Sequence, residues 1–188
     1  MIVLILGMLL WSGTHLVPSV AQSFRASLIE SLDAQKYQGL FALAILVSLV
    51  LIIFGWRSTA PVPAYTVPSW GRIAANLLVF VGLVLFIASG VPTNIKRIIR
   101  HPQLFGVVAW SAGHLLANGE WRSLVLFGGM ALWALTAMAT INRRDGAWQR
   151  LEPTPLSGDL KPVLGAAVVY GLLLFAHPYL SGVSAMPG

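Results

Sequence analysis

The sequence contains no cysteine. That excludes disulfides, thiolate metal sites and cysteine nucleophiles, so any metal or haem iron must be held by His, Met, Tyr or carboxylate. Charge is nearly as scarce. Only 10% of the 188 residues are charged, where a soluble domain carries about 25%, and there is too little polar surface to cover a water-soluble globule. The six acidic residues read as lying in connecting segments. With no carboxylate pair, Ser-His-Asp set or phosphate-cradling glycine loop, hydrolase and proton-driven transporter chemistry are poorly supported. No long basic run or nucleic-acid motif occurs, so nucleic acid is not a partner.

What is present is apolar. Hydrophobic residues make up 57% of the chain and the mean hydropathy is +0.79. Six apolar segments stand out, roughly 2–17, 39–56, 73–90, 104–117, 124–141 and 163–180. A helix needs about 20 residues to cross the hydrocarbon core. The second, third, fifth and sixth segments meet that length, whereas the first and fourth are short. Short spans are tolerated where they line protein rather than lipid. The expected fold is an all-α, polytopic integral membrane helical bundle of about six transmembrane helices. Residues 1–188 form a single transmembrane domain with the lipid bilayer as its solvent. Ser19-Val20-Ala21 resembles a signal-peptide cleavage site, but no Lys or Arg precedes the first segment, so it is expected to stay as a helix.

Lys and Arg placement predicts orientation. With the N-terminus outside, nine of the twelve basic residues fall on inner loops and three, Arg57, Arg72 and Arg122, fall outside. Both termini are then outside. In the first inner loop Phe24, Leu28 and Leu32 recur every four residues, the pattern of a short amphipathic helix on the membrane surface. The outer loop with Pro61, Pro63 and Pro68 should be extended, with Tyr65 and Trp70 in the interfacial aromatic belt.

Ionisable residues inside a membrane mark functional sites, and there are four histidines. His15 lies in Trp11-Ser12-Gly13-Thr14-His15-Leu16 and His114 in Trp110-Ser111-Ala112-Gly113-His114-Leu115. The pattern Trp-Ser-small-(Thr/Gly)-His-Leu thus occurs twice, 99 residues apart, in the first span of each set of three, as in an inverted repeat. Trp and His at i and i+4 share a helix face, which gives each imidazole an aromatic wall. Gly106, Ala109, Gly113 and Ala117 form a small-residue stripe that admits either a neighbouring helix or a flat macrocycle. Two imidazoles from facing helices would complete haem coordination. A packed histidine that only hydrogen-bonds across a helix interface fits the same residues. Arg100-His101-Pro102 opens the fourth helix, with Pro102 in its first turn; Arg100 with Lys96 and Arg97 makes a basic collar that suits lipid phosphate or haem propionates or equally reflects positive-inside charge alone. His177, in Phe175-Ala176-His177-Pro178, reads as an interfacial residue or as a replacement ligand near His114. Glu120, after the Asn118-Gly119 turn signal, reads as the N-terminal charge of the fifth span.

Two stretches carry a family resemblance. They are Arg100-His101-Pro102-Gln103-Leu104-x-Gly106 and Trp110-x-x-Gly113-His114-Leu115-Leu116-Ala117-Asn118-Gly119. Together with Phe175-Ala176-His177-Pro178-x-x-x-Gly182 and His15, they resemble the NnrU family of bacterial membrane proteins over essentially the whole chain. The same family includes the 15-cis-zeta-carotene isomerase, similar in its RHPQ and AH motifs. The resemblance implies a bacterial cytoplasmic membrane protein with b-type haem ligated by His15 and His114. It also implies an association with denitrification in one branch and redox-dependent carotenoid isomerisation in the other. The expected partner is accordingly a redox protein or a lipophilic polyene substrate. A cysteine that takes part in ligation in the isomerase, three residues before the second ligand, is replaced here by Ser111. The RHP-x-x-x-Gly piece is also similar to one in membrane isoprenylcysteine methyltransferases, which have a more polar carboxy-terminal pocket.

Overall fold

The computed structural model describes residues 1–183 and 185. Its helices are α1 (Ile2–Val20), α2 (Gln22–Leu32), α3 (Ala34–Ser58), α4 (Gly71–Ser89), α5 (Ile95–Ile98) and α6 (Pro102–Ala117). They are followed by α7 (Trp121–Asp145) and α8 (Ser157–Ser181). All six apolar segments are helical. Among the described residues five helices (α1, α3, α4, α7 and α8) are long and apolar enough to cross a membrane. The sixth, α6, has 16 residues and rises about 24 Å at 1.5 Å per residue, short of a core about 30 Å thick. The first segment proves longer than its apolar run, because Pro18, Ser19 and Val20 continue α1. Among the described residues no strand forms; the proline-rich loop makes one isolated bridge, Pro63 to Glu120.

The chain divides into two compact units: Met1–Thr66 with Asn118–Ala147, and Val67–Ala117 with Trp148–Gly188. The units do not coincide with the first three and last three spans, the grouping that the repeated motif favours.

In the first unit α1 packs on α3 and α7. Leu4, Met8 and Ile52 form its core, joined by Trp11, Val125, Leu126 and Met130. The helices approach closely through glycine: a Cβ on Gly7 would stand 2.8 Å from the Ile52 nitrogen, and one on Gly55 would overlap the Leu4 backbone. Within α7, residues Leu124–Gly128 form a π turn. The amphipathic segment is α2, with no buried residue and Phe24 exposed. The chain then reverses at Asp33, whose φ of 71° is unusual for a residue other than glycine. Asp33 Oδ1 caps α3 by accepting from the Lys36 amide at 2.9 Å. At the other end of α3, Arg122 stacks 4.4 Å over Trp56, pairs with Glu120 at 2.7 Å and donates to the Thr59 carbonyl at 3.2 Å. Glu120 is the residue before α7, and its carboxylate goes to Arg122 rather than to a helix-capping bond.

In the second unit α4 and α6 pack most extensively. A Cβ on Gly106 would lie 2.6 Å from the Gly82 carbonyl oxygen, and one on Gly113 3.0 Å from that of Ala75. The glycines of the small-residue stripe therefore serve helix approach. The acidic residues are not confined to connecting segments, since Glu30, Asp145 and Asp159 all lie within helices. Asp159, in the first turn of α8, accepts from the Thr93 hydroxyl, from the Asn94 amide at 2.7 Å and from Asn94 Nδ2 at 2.8 Å. Asn94 also bonds both backbone groups of Thr154. The Asp159 carboxylate makes no ion pair among the described residues; it accepts the three hydrogen bonds from Thr93 and Asn94 and fastens the loop after α4 to the start of α8.

Candidate functional site

The i, i+4 spacing of tryptophan and histidine has a definite outcome in each unit. On α1 the His15 ring lies 4.2 Å from the Trp11 ring, and its Nδ1 is 2.9 Å from the Trp11 carbonyl oxygen. On α6 the Trp110 and His114 rings are 4.9 Å apart, and His114 Nδ1 is 2.9 Å from the Trp110 carbonyl oxygen. A carbonyl only accepts, so each Nδ1 carries the proton and donates. The lone pair of each imidazole is thereby assigned to Nε2. Metal-ligating histidines characteristically donate their other ring N–H to a carbonyl or carboxylate in this way.

Two residues the sequence motif does not reveal complete the wall at His15. Trp133 of α7 stands edge-on at 5.2 Å and Phe41 of α3 at 5.8 Å, while Trp11 and Trp133 are themselves 5.7 Å apart. The indole Nε1 atoms of Trp11 and Trp133 are both buried without a hydrogen-bond partner. No local pattern marks Trp133 or Phe41.

At His114 the second unit brings in His177, with ring centroids 6.4 Å apart and planes inclined by 20°. His177 thus lies beside His114, the position expected of a replacement ligand. His177 Nδ1 donates to the Val183 carbonyl at 2.6 Å, with the Ser181 hydroxyl at 3.0 Å. Ser111 is fully buried one turn from His114, and its hydroxyl lacks a partner. Gly113 is committed to α4. Arg100 and His101 are not brought to His114. His101 immediately precedes α6, and thirteen residues at 1.5 Å place it about 20 Å along the helix.

Among the described residues no three His, Cys, Asp or Glu side chains converge, so a bare metal ion would find too few ligands. Haem brings four nitrogens of its own and asks the protein only for axial donors. Imidazoles whose Nδ1 is engaged and whose Nε2 is left to ligate, aromatic walls and orphaned buried indole donors fit that group.

The fold and these residues define a class: an all-α polytopic membrane protein with a tryptophan-walled imidazole in each of its two units. Residues 3–185 match the family described as NnrU protein. The chain belongs to the NnrU family. No curated protein and no solved structure matches it.

Proposed function

We propose that this chain is a haem b-binding protein of the bacterial cytoplasmic membrane, with His15 and His114 as the imidazoles that ligate the iron. Its role is an accessory redox one in nitrogen-oxide (denitrification) metabolism, acting with a redox partner, and both termini lie outside. One observation carries the haem reading: the Nδ1 bond to the i−4 tryptophan carbonyl occurs at both histidines and leaves Nε2 as the donor atom of each. Haem, when bound, supplies one-electron redox chemistry. The protein's own contribution is to fix the tautomer and ring orientation of each histidine. At His15 the rings of Trp11, Trp133 and Phe41 pack around the half-buried imidazole. Held by both His15 and His114, the haem would supply electron transfer or sensing rather than catalysis at iron. Ser111 supplies no sulfur ligand, which separates this chain from the isomerase pattern.

The test is a visible spectrum of the membrane-extracted protein in both redox states. A Soret band is expected, lost or altered in His15→Ala and in His114→Ala and less affected in His177→Ala. Absence of any Soret band from wild type refutes the haem reading, and a band unchanged in either ligand variant refutes the ligand assignment. Isomerisation of a tri-cis carotene by the reduced protein alone would replace the accessory role with that of a carotenoid isomerase.

A further inference from the structure

An open, mostly apolar cavity of about 270 Å³ is lined by Pro18, Arg25, Tyr37, Gln38 and Phe41, where α1, α2 and α3 meet. Pro18 follows His15 by three residues on α1, and Tyr37 precedes Phe41 by four on α3, so each pair shares a helix face. Phe41 belongs both to the wall of this cavity and to the aromatic wall of His15, its ring 5.8 Å from the imidazole. The cavity therefore opens about one helical turn from the candidate ligand.

Besides the exposed amide of Gln38, its polar groups are the Arg25 guanidinium and the Tyr37 hydroxyl. The Arg25 guanidinium sits 5.5 Å over the Tyr37 ring and makes no ion pair among the described residues. The Tyr37 hydroxyl is buried with no partner, a costly state for a polar atom. Positive-inside charge alone would explain Arg25 but not a buried, unanswered phenol beside it. A guanidinium and a hydroxyl at the mouth of an apolar cavity call for an anionic oxygen carried on an apolar body. Carboxylates of a porphyrin and phosphates of a lipid share that chemistry.

The geometry points to Arg25 and Tyr37 as the anchor for a haem propionate, an inference that rests on the haem reading of His15. It moves the propionate anchor from the basic collar at Arg100 to the junction of α1, α2 and α3.

The experiment titrates haem b, and separately its dimethyl ester, into full-length apo-protein in nanodiscs, following the Soret band. Wild type should bind haem b about tenfold more tightly than the ester, the scale of a charge-assisted contact. Arg25→Gln and Tyr37→Phe should bring that ratio toward one at an unchanged Soret position, and Arg25→Lys should keep most of it. Equal binding of the two porphyrins by wild type, or an undiminished ratio in Arg25→Gln and Tyr37→Phe, overturns the assignment while leaving haem binding intact. Anionic lipid retained by wild type but not by Arg25→Gln, with the ratio unchanged, assigns the cavity to a lipid phosphate and also overturns it. No Soret band with either porphyrin overturns the haem reading itself.

Discussion

Asp33 shows how much one residue settles at a membrane surface. It reverses the chain between α2 and α3 with a positive φ and caps the helix that follows. Hydrogen bonds from the Lys36 backbone and side chain hold its carboxyl below the ordinary value of 3.8. A depressed folded value means the charged form stabilises the fold. That contribution is complete above the unfolded value and is lost as pH falls through the folded one. Asp33→Asn should therefore be slightly less stable than wild type, with a gap constant above pH 3.8 and closing below it. Thermal unfolding in detergent across that range measures this; a gap that widens on acidification would contradict it. The same scale explains what the sequence disclosed at the candidate site. Trp11 and His15, or Trp110 and His114, are four residues apart, and helix geometry alone brings such residues together. Trp133 and Phe41 reach His15 from other helices, and no spacing rule connects them to it.

At the scale of elements, the glycines decide which helices touch. Gly106 and Gly82 face each other so closely that a methyl group on Gly106 would meet the Gly82 carbonyl oxygen at 2.6 Å and the Phe86 nitrogen at 3.2 Å. Both obstacles are backbone, so the helices must separate. Gly106→Ala should cost about 1–3 kcal/mol, as overpacking does, read as a lower unfolding midpoint. Gly171→Ala, where nothing lies within 4 Å, should be neutral or stabilise by up to about 1 kcal/mol through helix propensity. Equal effects of the two substitutions would mean that α4 and α6 do not pack through this contact. The sequence displays the glycine stripe on α6, but whether a helix or a macrocycle fills it depends on Gly82, which comes from another span.

For the molecule as a whole, the six apolar segments and their helical nature are legible because lipid demands internally bonded backbone. The grouping of spans is not. One unit joins α1 and α3 to α7, and the other joins α4 and α6 to α8. Hydropathy is a property of each segment separately and says nothing about which segment packs on which. Asp159 was missed for a related reason: its partners Thr93 and Asn94 lie more than sixty residues away, so the sequence shows only a charge in a polar stretch. Orientation, by contrast, has a direct check. The natural chain lacks cysteine, so single cysteines at Thr66 and at Gln149 can be labelled without background. The charge distribution predicts that an impermeant maleimide reaches the first in intact cells and the second only after permeabilisation. The opposite pattern would invert the molecule.

The π turn at Leu124–Gly128 has a bearing on His15 that reaches beyond its own five residues. Such a turn amounts to one surplus residue wound into an α-helix, and each residue advances the helix by about 100°. Trp133 lies downstream of it, so the tryptophan meets Trp11 and His15 only because that phase offset has already been applied. Straightening Leu124–Gly128 into regular α-helix with no change of sequence length would swing Trp133 by about 100° away from the imidazole and turn a different side chain toward His15. Excising the one surplus residue would instead restore an unbroken α-helix with the tryptophan still facing His15.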